Sequence, residues 1–207
     1  MYGDNIPEFS TIWDEARQYI ESGNRDKAIE IYKYILVRYG DEPVAVEYAN
    51  AYLGDLFLTL KKLDLAEDHI KKAIHLRPQN PGYRYILGFV YSHRRRWDKA
   101  ISEFEIAVKQ EPNNGEHLRG LGWATYSRGD VGKGISLLEA AKRLAPDNAN
   151  ILTDLAMVYL SSVNIDKSRE YAERAMQLDP TNSVARDVLR TIIGFNERFS
   201  QDERHNQ

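Results

Sequence analysis

The chain of 207 residues contains no cysteine. Disulfides, thiolate catalysis and cysteine-ligated metals are therefore excluded, and the missing thiols by themselves identify no compartment. No apolar run approaches 18 residues, so no membrane span is expected. The opening MYGDNIPEFSTIW has neither a basic nor an apolar signal segment. No secretory signal is expected, and the cytoplasm is the simplest location. Excess positive charge is lacking too: 28 Lys and Arg face 31 Asp and Glu, a net charge of −3. Phosphate binding usually appears as a basic domain, so nucleic acid is not expected as a partner. The five histidines are scattered, and His69 and His75 stand six apart, off a common helix face. No metal, cofactor or catalytic residue is expected.

Proline is sparse, but its placement is not random. Pro78, Pro112, Pro146 and Pro180 recur every 34 residues. A fixed period of this kind marks stacked helical hairpins, none of which buries its own apolar face. With each proline at position 32, the units begin at Glu47, Pro81, Gly115 and Ala149. Position 8 then reads Gly54, Gly88, Gly122, Ala156; position 20 reads Ala66, Ala100, Gly134, Ser168; position 27 reads Ala73, Ala107, Ala141, Ala175. Small residues at these sites let two helices approach closely. Position 7 is Leu53, Leu87, Leu121, Leu155, and position 24 is Ile70, Phe104, Leu138, Ala172. The apolar spacing is helical rather than alternating. Asn80, Asn114, Asn148 and Asn182 hold position 34, where each can cap the following helix. Asp64, Asp98 and Asp166 fall in the first turn of a second helix, where an acid suits the helix dipole.

These residues resemble the tetratricopeptide repeat family from Glu47 to Asn182. The resemblance implies an all-α fold: an α-solenoid of about five helical hairpins and a capping helix, eleven helices in all. Residues 47–80, 81–114, 115–148 and 149–182 form regular repeats. Residues 9–46 form a divergent one, behind an N-terminal arm over 1–8. Its step to the next repeat is four residues too long, which predicts a longer second helix or a longer loop over 37–43, with Pro43 opening the next helix. Residues 183–199 read as an amphipathic cap, with Arg186, Arg190 and Glu197 for its polar face, and 200–207 as a disordered tail. Gly132 and Gly134 are departures from the helix formers expected there, each costing about 1 kcal/mol relative to alanine. Ala156 and Ser168 depart from glycine and alanine.

In this family the concave surface is lined by positions 2, 5, 9 and 12 of each first helix, with 6 and 13 beside them. That implies a partner-binding groove made of Trp13, Arg17, Tyr48, Tyr52, Asp55, Tyr85, Phe89, Arg119, Trp123, Tyr126 and Met157. Ala51, Leu58, Ile86, Ser92, His93, Asn150, Thr153, Asp154 and Leu160 share those positions. The lysine–asparagine clamp of chaperone-binding relatives assembles in none of the three-repeat frames, so binding of chaperone C-terminal acidic tails is not expected. Tyrosine and tryptophan are typical of interface hot spots, although such side chains also pack between neighbouring first helices. The expected function is a protein-binding scaffold without catalysis of its own, taking a partner peptide or helix in an aromatic groove. Its rivals are a self-assembling homo-oligomer and a secretion-type chaperone.

Three local motifs carry less. Gly132-Lys133 lacks the first glycine of a phosphate loop, where Ser127 stands, and Gly134 replaces the required Ser or Thr. Arg128-Gly129-Asp130 spells an adhesion tripeptide, but it falls at an inter-helix turn where glycine is expected for backbone reasons. His93-Arg94-Arg95-Arg96 reads as a solvated turn, or as an electrostatic handle for an acidic partner.

Overall fold

Side-chain caps mark seven of the helix starts. Asn24, Asn80, Asn114, Asn148 and Asn164, with Asp130, each accept a hydrogen bond from a backbone N–H of the first turn they open. Asn182 accepts from the Ala185 N–H in the same way, at 2.9 Å. These caps satisfy donors that a helix leaves unpaired at its N-terminus. The computed structural model describes residues 7–205, with side chains from 10 to 194. Its described residues form eleven helices and no strand.

In chain order they are α1 (Pro7–Glu21), α2 (Arg25–Arg38), α3 (Pro43–Thr59), α4 (Leu63–Leu76), α5 (Pro81–His93), α6 (Trp97–Gln110), α7 (Gly115–Arg128), α8 (Val131–Leu144), α9 (Ala149–Ser161), α10 (Ile165–Leu178) and α11 (Ser183–His205). The chain divides into two compact units, one up to Gln110 and one from Glu111. In the first, α1, α3 and α5 pair with α2, α4 and α6, and α3 also meets α5. In the second, α7 and α9 pair with α8 and α10, α7 meets α9, and α11 lies on α9 and α10. Stacked hairpins of this kind are an all-α solenoid architecture.

The expected extra residues lie elsewhere. α2 has 14 residues, like α4 and α6, and four residues, Tyr39–Glu42, join it to α3. α3 has 17 residues against 13 in α5. One added helical turn, opened by Pro43, therefore absorbs the insertion, and neither a longer α2 nor a longer loop forms. At the C-terminus α11 continues through His205, past the Phe199 boundary. The segment from Gln201 to Arg204 holds Gln, Glu and Arg and no glycine or proline, which suits continuation. Of the expected arm, residues 1–6 lie outside the described residues and Pro7 opens α1; residues 206–207 also lie outside.

Inside each hairpin the small positions allow contact. A Cβ on Gly134 would lie 2.6–2.7 Å from the Tyr126 backbone and Cβ, whereas one on Gly132 would meet nothing within 4 Å. Gly134 is thus required by the approach of α7 and α8, which corrects its reading as a weak helix residue. The paired departures in the last repeat also meet: the buried Ser168 hydroxyl donates to the Ala156 carbonyl at 2.8 Å. The core consists of fully buried Tyr32, Ile35, Leu53, Ile70 and Phe104 in the first unit, and Leu138, Ile151, Leu155 and Ile192 in the second.

Candidate functional site

The first helices of the first unit carry two aromatic groups. On α1, Trp13 meets Tyr32, Tyr48 and Tyr52 edge-on, with ring centroids 5.2, 5.8 and 5.1 Å away. Tyr52 stacks on Tyr32 at 5.1 Å. On α5, Tyr85 and Phe89 are 4.7 Å apart, and both pack on buried Phe104, at 5.7 and 5.3 Å. Trp13, Tyr52, Tyr85 and Phe89 are half-buried, while Tyr48, Arg17 and Asp55 are exposed. Ala51 is buried and offers no surface; Ile86, Leu58 and Ser92 are half-buried, with the Ser92 hydroxyl on the Gly88 carbonyl.

Below Tyr48 lies a buried acid. Glu47 accepts from the Tyr83 hydroxyl at 2.7 Å and pairs with Arg77 Nε at 3.0 Å, and Arg77 also covers the Tyr48 ring at 5.6 Å. Burial, then the hydrogen bond to Glu47, pushes the Tyr83 hydroxyl pKa up. Asn50 donates to the Val46 carbonyl, which leaves its Oδ1 to accept from His69 Nδ1 at 2.8 Å. Burial lowers the His69 pKa, which favours the neutral ring.

In the second unit Arg119 on α7 pairs with Glu116 at 2.9 Å and with Asp154 of α9 at 3.1 Å. Asn148 donates to the same Glu116 at 2.6 Å. Burial pushes the Asp154 carboxyl up to about 6, against the opposing pull of Arg119. Trp123 and Tyr126 lie 5.9 Å apart and are half-buried, as are Met157 and Leu160. Asn150 is exposed, and Thr153 is buried between the Ala149 carbonyl and Asn182.

The local motifs resolve into structure. Arg94 binds Asp64 and, at 3.4 Å, Glu67, so its charge is already neutralised within the hairpins; His93, Arg95 and Arg96 are exposed. Gly129 is left-handed at φ 114°, and Asp130 caps α8 by accepting from the Lys133 N–H at 3.3 Å. Arg128-Gly129-Asp130 is therefore the connection from α7 to α8, and Gly132-Lys133 lies in the first turn of α8. Among the described residues no group of three or more His, Cys, Asp or Glu is placed to hold a metal, and no helix is long and apolar enough to cross a membrane.

The family sequence pattern described as the tetratricopeptide repeat matches residues 14–81, 90–149 and 126–183. The chain belongs to the tetratricopeptide repeat family. Solved tetratricopeptide repeat (TPR) structures share the fold. A thermophilic TPR protein in Thermus thermophilus superposes with a TM-score of 0.75 at 19% identity, over 89% of this chain and 98% of that one. MamA from Desulfovibrio magneticus gives 0.66 at 18%, over 88% and 99%. YrrB, described as a TPR protein with an unusual peptide-binding site, gives 0.59 at 19%, over 84% and 88%. No curated protein sequence matches the chain.

One residue of these faces was not expected there. Tyr32 comes from a second helix, yet its ring lies among the first-helix aromatics. Its position-24 register carried the signal, because Phe104 at the same register reaches Tyr85 and Phe89.

Proposed function

We propose that the protein is an interaction scaffold that holds a partner peptide or helix against its aromatic first-helix faces and performs no catalysis. Tyr85 and Phe89 carry this reading. Their rings are 4.7 Å apart, are backed by fully buried Phe104, and remain partly exposed. Rings needed only for packing would be covered as Phe104 is. A rigid, half-exposed aromatic pair loses little conformational entropy on binding and has the character of an interface hot spot. Trp123, Tyr126 and Met157 supply a similar surface in the second unit. Membership of a family whose proteins bind proteins or peptides supports the reading, as does the peptide-binding site named for YrrB. An amphipathic helix or an extended apolar peptide suits such a face.

The test is a pull-down from source-cell lysate with wild type, Tyr85→Ala, Trp123→Ala and the double variant, all checked for helicity. A protein retained by wild type and depleted about tenfold or more by a variant supports the reading, because a hot-spot truncation costs about 2 kcal/mol. Equal recovery on all baits rejects it. Mass that rises with concentration and falls in the variants would instead assign the face to a second copy of the chain.

A further inference from the structure

The first unit repeats one arrangement twice, with one instructive change. In the hairpin of α5 and α6, position 24 is Phe104, whose ring lies beside Tyr85 at position 5 and Phe89 at position 9. In the hairpin of α1 and α2 the same three positions are Tyr32, Trp13 and Arg17. Tyr32 keeps the ring contact, 5.2 Å from Trp13 and 5.1 Å from Tyr52. Relative to Phe104 it adds a hydroxyl, and relative to Phe89 Arg17 adds a guanidinium.

The hydroxyl of Tyr32 is fully buried and has no hydrogen-bond partner among the described residues. Burial and the neighbouring Tyr52 raise its pKa, while Arg17 draws it down, so all three lie within electrostatic reach. Arg17 meets Asp14 at 3.9 Å, with both side chains more than half exposed. A contact of that kind is weak and easily replaced. A buried donor without an acceptor persists against a standing cost, which an arriving acceptor removes.

We propose that Tyr32 and Arg17 form a carboxylate-recognition site in the first unit, which takes an aspartate or glutamate side chain of the partner peptide. The inference rests on the peptide-binding reading above and specifies its chemistry. The orphaned hydroxyl is a donor in want of an acceptor and Arg17 is a cation within electrostatic reach of it, so an anionic acceptor suits both. Trp13 and Tyr52 flank the pair, so apolar residues are expected on either side of the acid. Because the hydroxyl is buried, this site requires the rings around Tyr32 to shift as the acid enters.

The test uses three pools of capped peptides, with randomised apolar flanks and a central Glu, Gln or Lys, together with a fourth pool carrying a free C-terminal carboxylate and no acidic side chain. Retention is measured on wild type, Tyr32→Phe, Arg17→Gln and Tyr85→Ala. The expected result is a preference of about tenfold for the Glu pool over the Gln pool, as befits one charge-assisted pair. That preference should vanish in Arg17→Gln and shrink in Tyr32→Phe, while Tyr85→Ala weakens every pool alike. Tyr32→Phe should fold at least as stably as wild type, since it removes only the orphaned hydroxyl. Equal retention of the Glu and Gln pools, or a Glu preference untouched by Tyr32→Phe, overturns the site and leaves peptide binding standing. Preference for the C-terminal carboxylate pool over the Glu pool overturns the side-chain assignment. Retention of no pool rejects the site and the peptide reading together.

Discussion

Gly23, Lys61, Arg95, Gly129 and Val163 each turn left-handed between the two helices of a hairpin. The last four share a cause: Lys62, Arg96, Asp130 and Asn164 donate backward to Phe57, Tyr91, Thr125 and Tyr159, closing the preceding helix around the left-handed residue. Glycine tolerates this and valine tolerates it worst, since its branched Cβ crowds the carbonyl. Val163 is 78% exposed, so little packing offsets the strain. Val163→Asn is expected to stabilise the fold by about 1 kcal/mol, read as a higher thermal midpoint. Two nearby glycines should respond with opposite signs. Gly132→Ala, in open space, should add about 0.5–1 kcal/mol, whereas Gly134→Ala should cost about 1–3 kcal/mol because it collides with the Tyr126 backbone. The sequence placed Gly129 at a turn by residue type. Lys61, Arg95 and Val163 carry no such mark, because the hydrogen-bonded helix end imposes the conformation.

The added turn of α3 shows how a helix can absorb an insertion that was expected in the preceding helix or loop. Pro43 opens the helix without losing a bond, and Glu47 moves from a helix start into its interior, where Tyr83 and Arg77 satisfy it. The α7–α9 contact has a pH dependence of its own. Asp154 has its pKa raised from 3.8 to about 6, so the folded state binds a proton more tightly than the unfolded chain does. Its contribution to stability is full below about pH 4 and is lost as the pH rises through 6. Asp154→Asn should remove that slope: between pH 4 and pH 6, wild type should lose on the order of 2 kcal/mol relative to the variant. Urea titrations at several pH values measure the difference. A constant gap across that window would assign Asp154 an ordinary carboxyl. Arg119 and Asp154 share helix positions that the family sequence pattern makes legible, but their pairing depends on the distance between two helices, which no single-chain pattern states.

Over the whole molecule, stability in stacked hairpins is a sum of local and nearest-neighbour contributions. α1 packs on α2 and, through Trp13, on α3, whereas α3 packs on α1, α2, α4 and α5. Hydrogen exchange should therefore release α1 amides ahead of those of α3, and equal protection would mean that this unit opens as one body. The 34-residue period, the asparagine caps and the small residues at helix contacts made the hairpin architecture legible, because each is a local requirement repeated in phase. The same register, through the family pattern, assigned first-helix positions to an expected face. It did not decide which aromatics lie against one another, that Ala51 is covered, that Arg94 pairs with Asp64 and Glu67, or that the buried Tyr32 ring lies among the first-helix aromatics. Those outcomes belong to the tertiary structure. Periodicity fixes the side of a helix on which a residue lies, whereas contact and hydrogen-bond satisfaction depend on ångström-scale separations between helices distant in sequence.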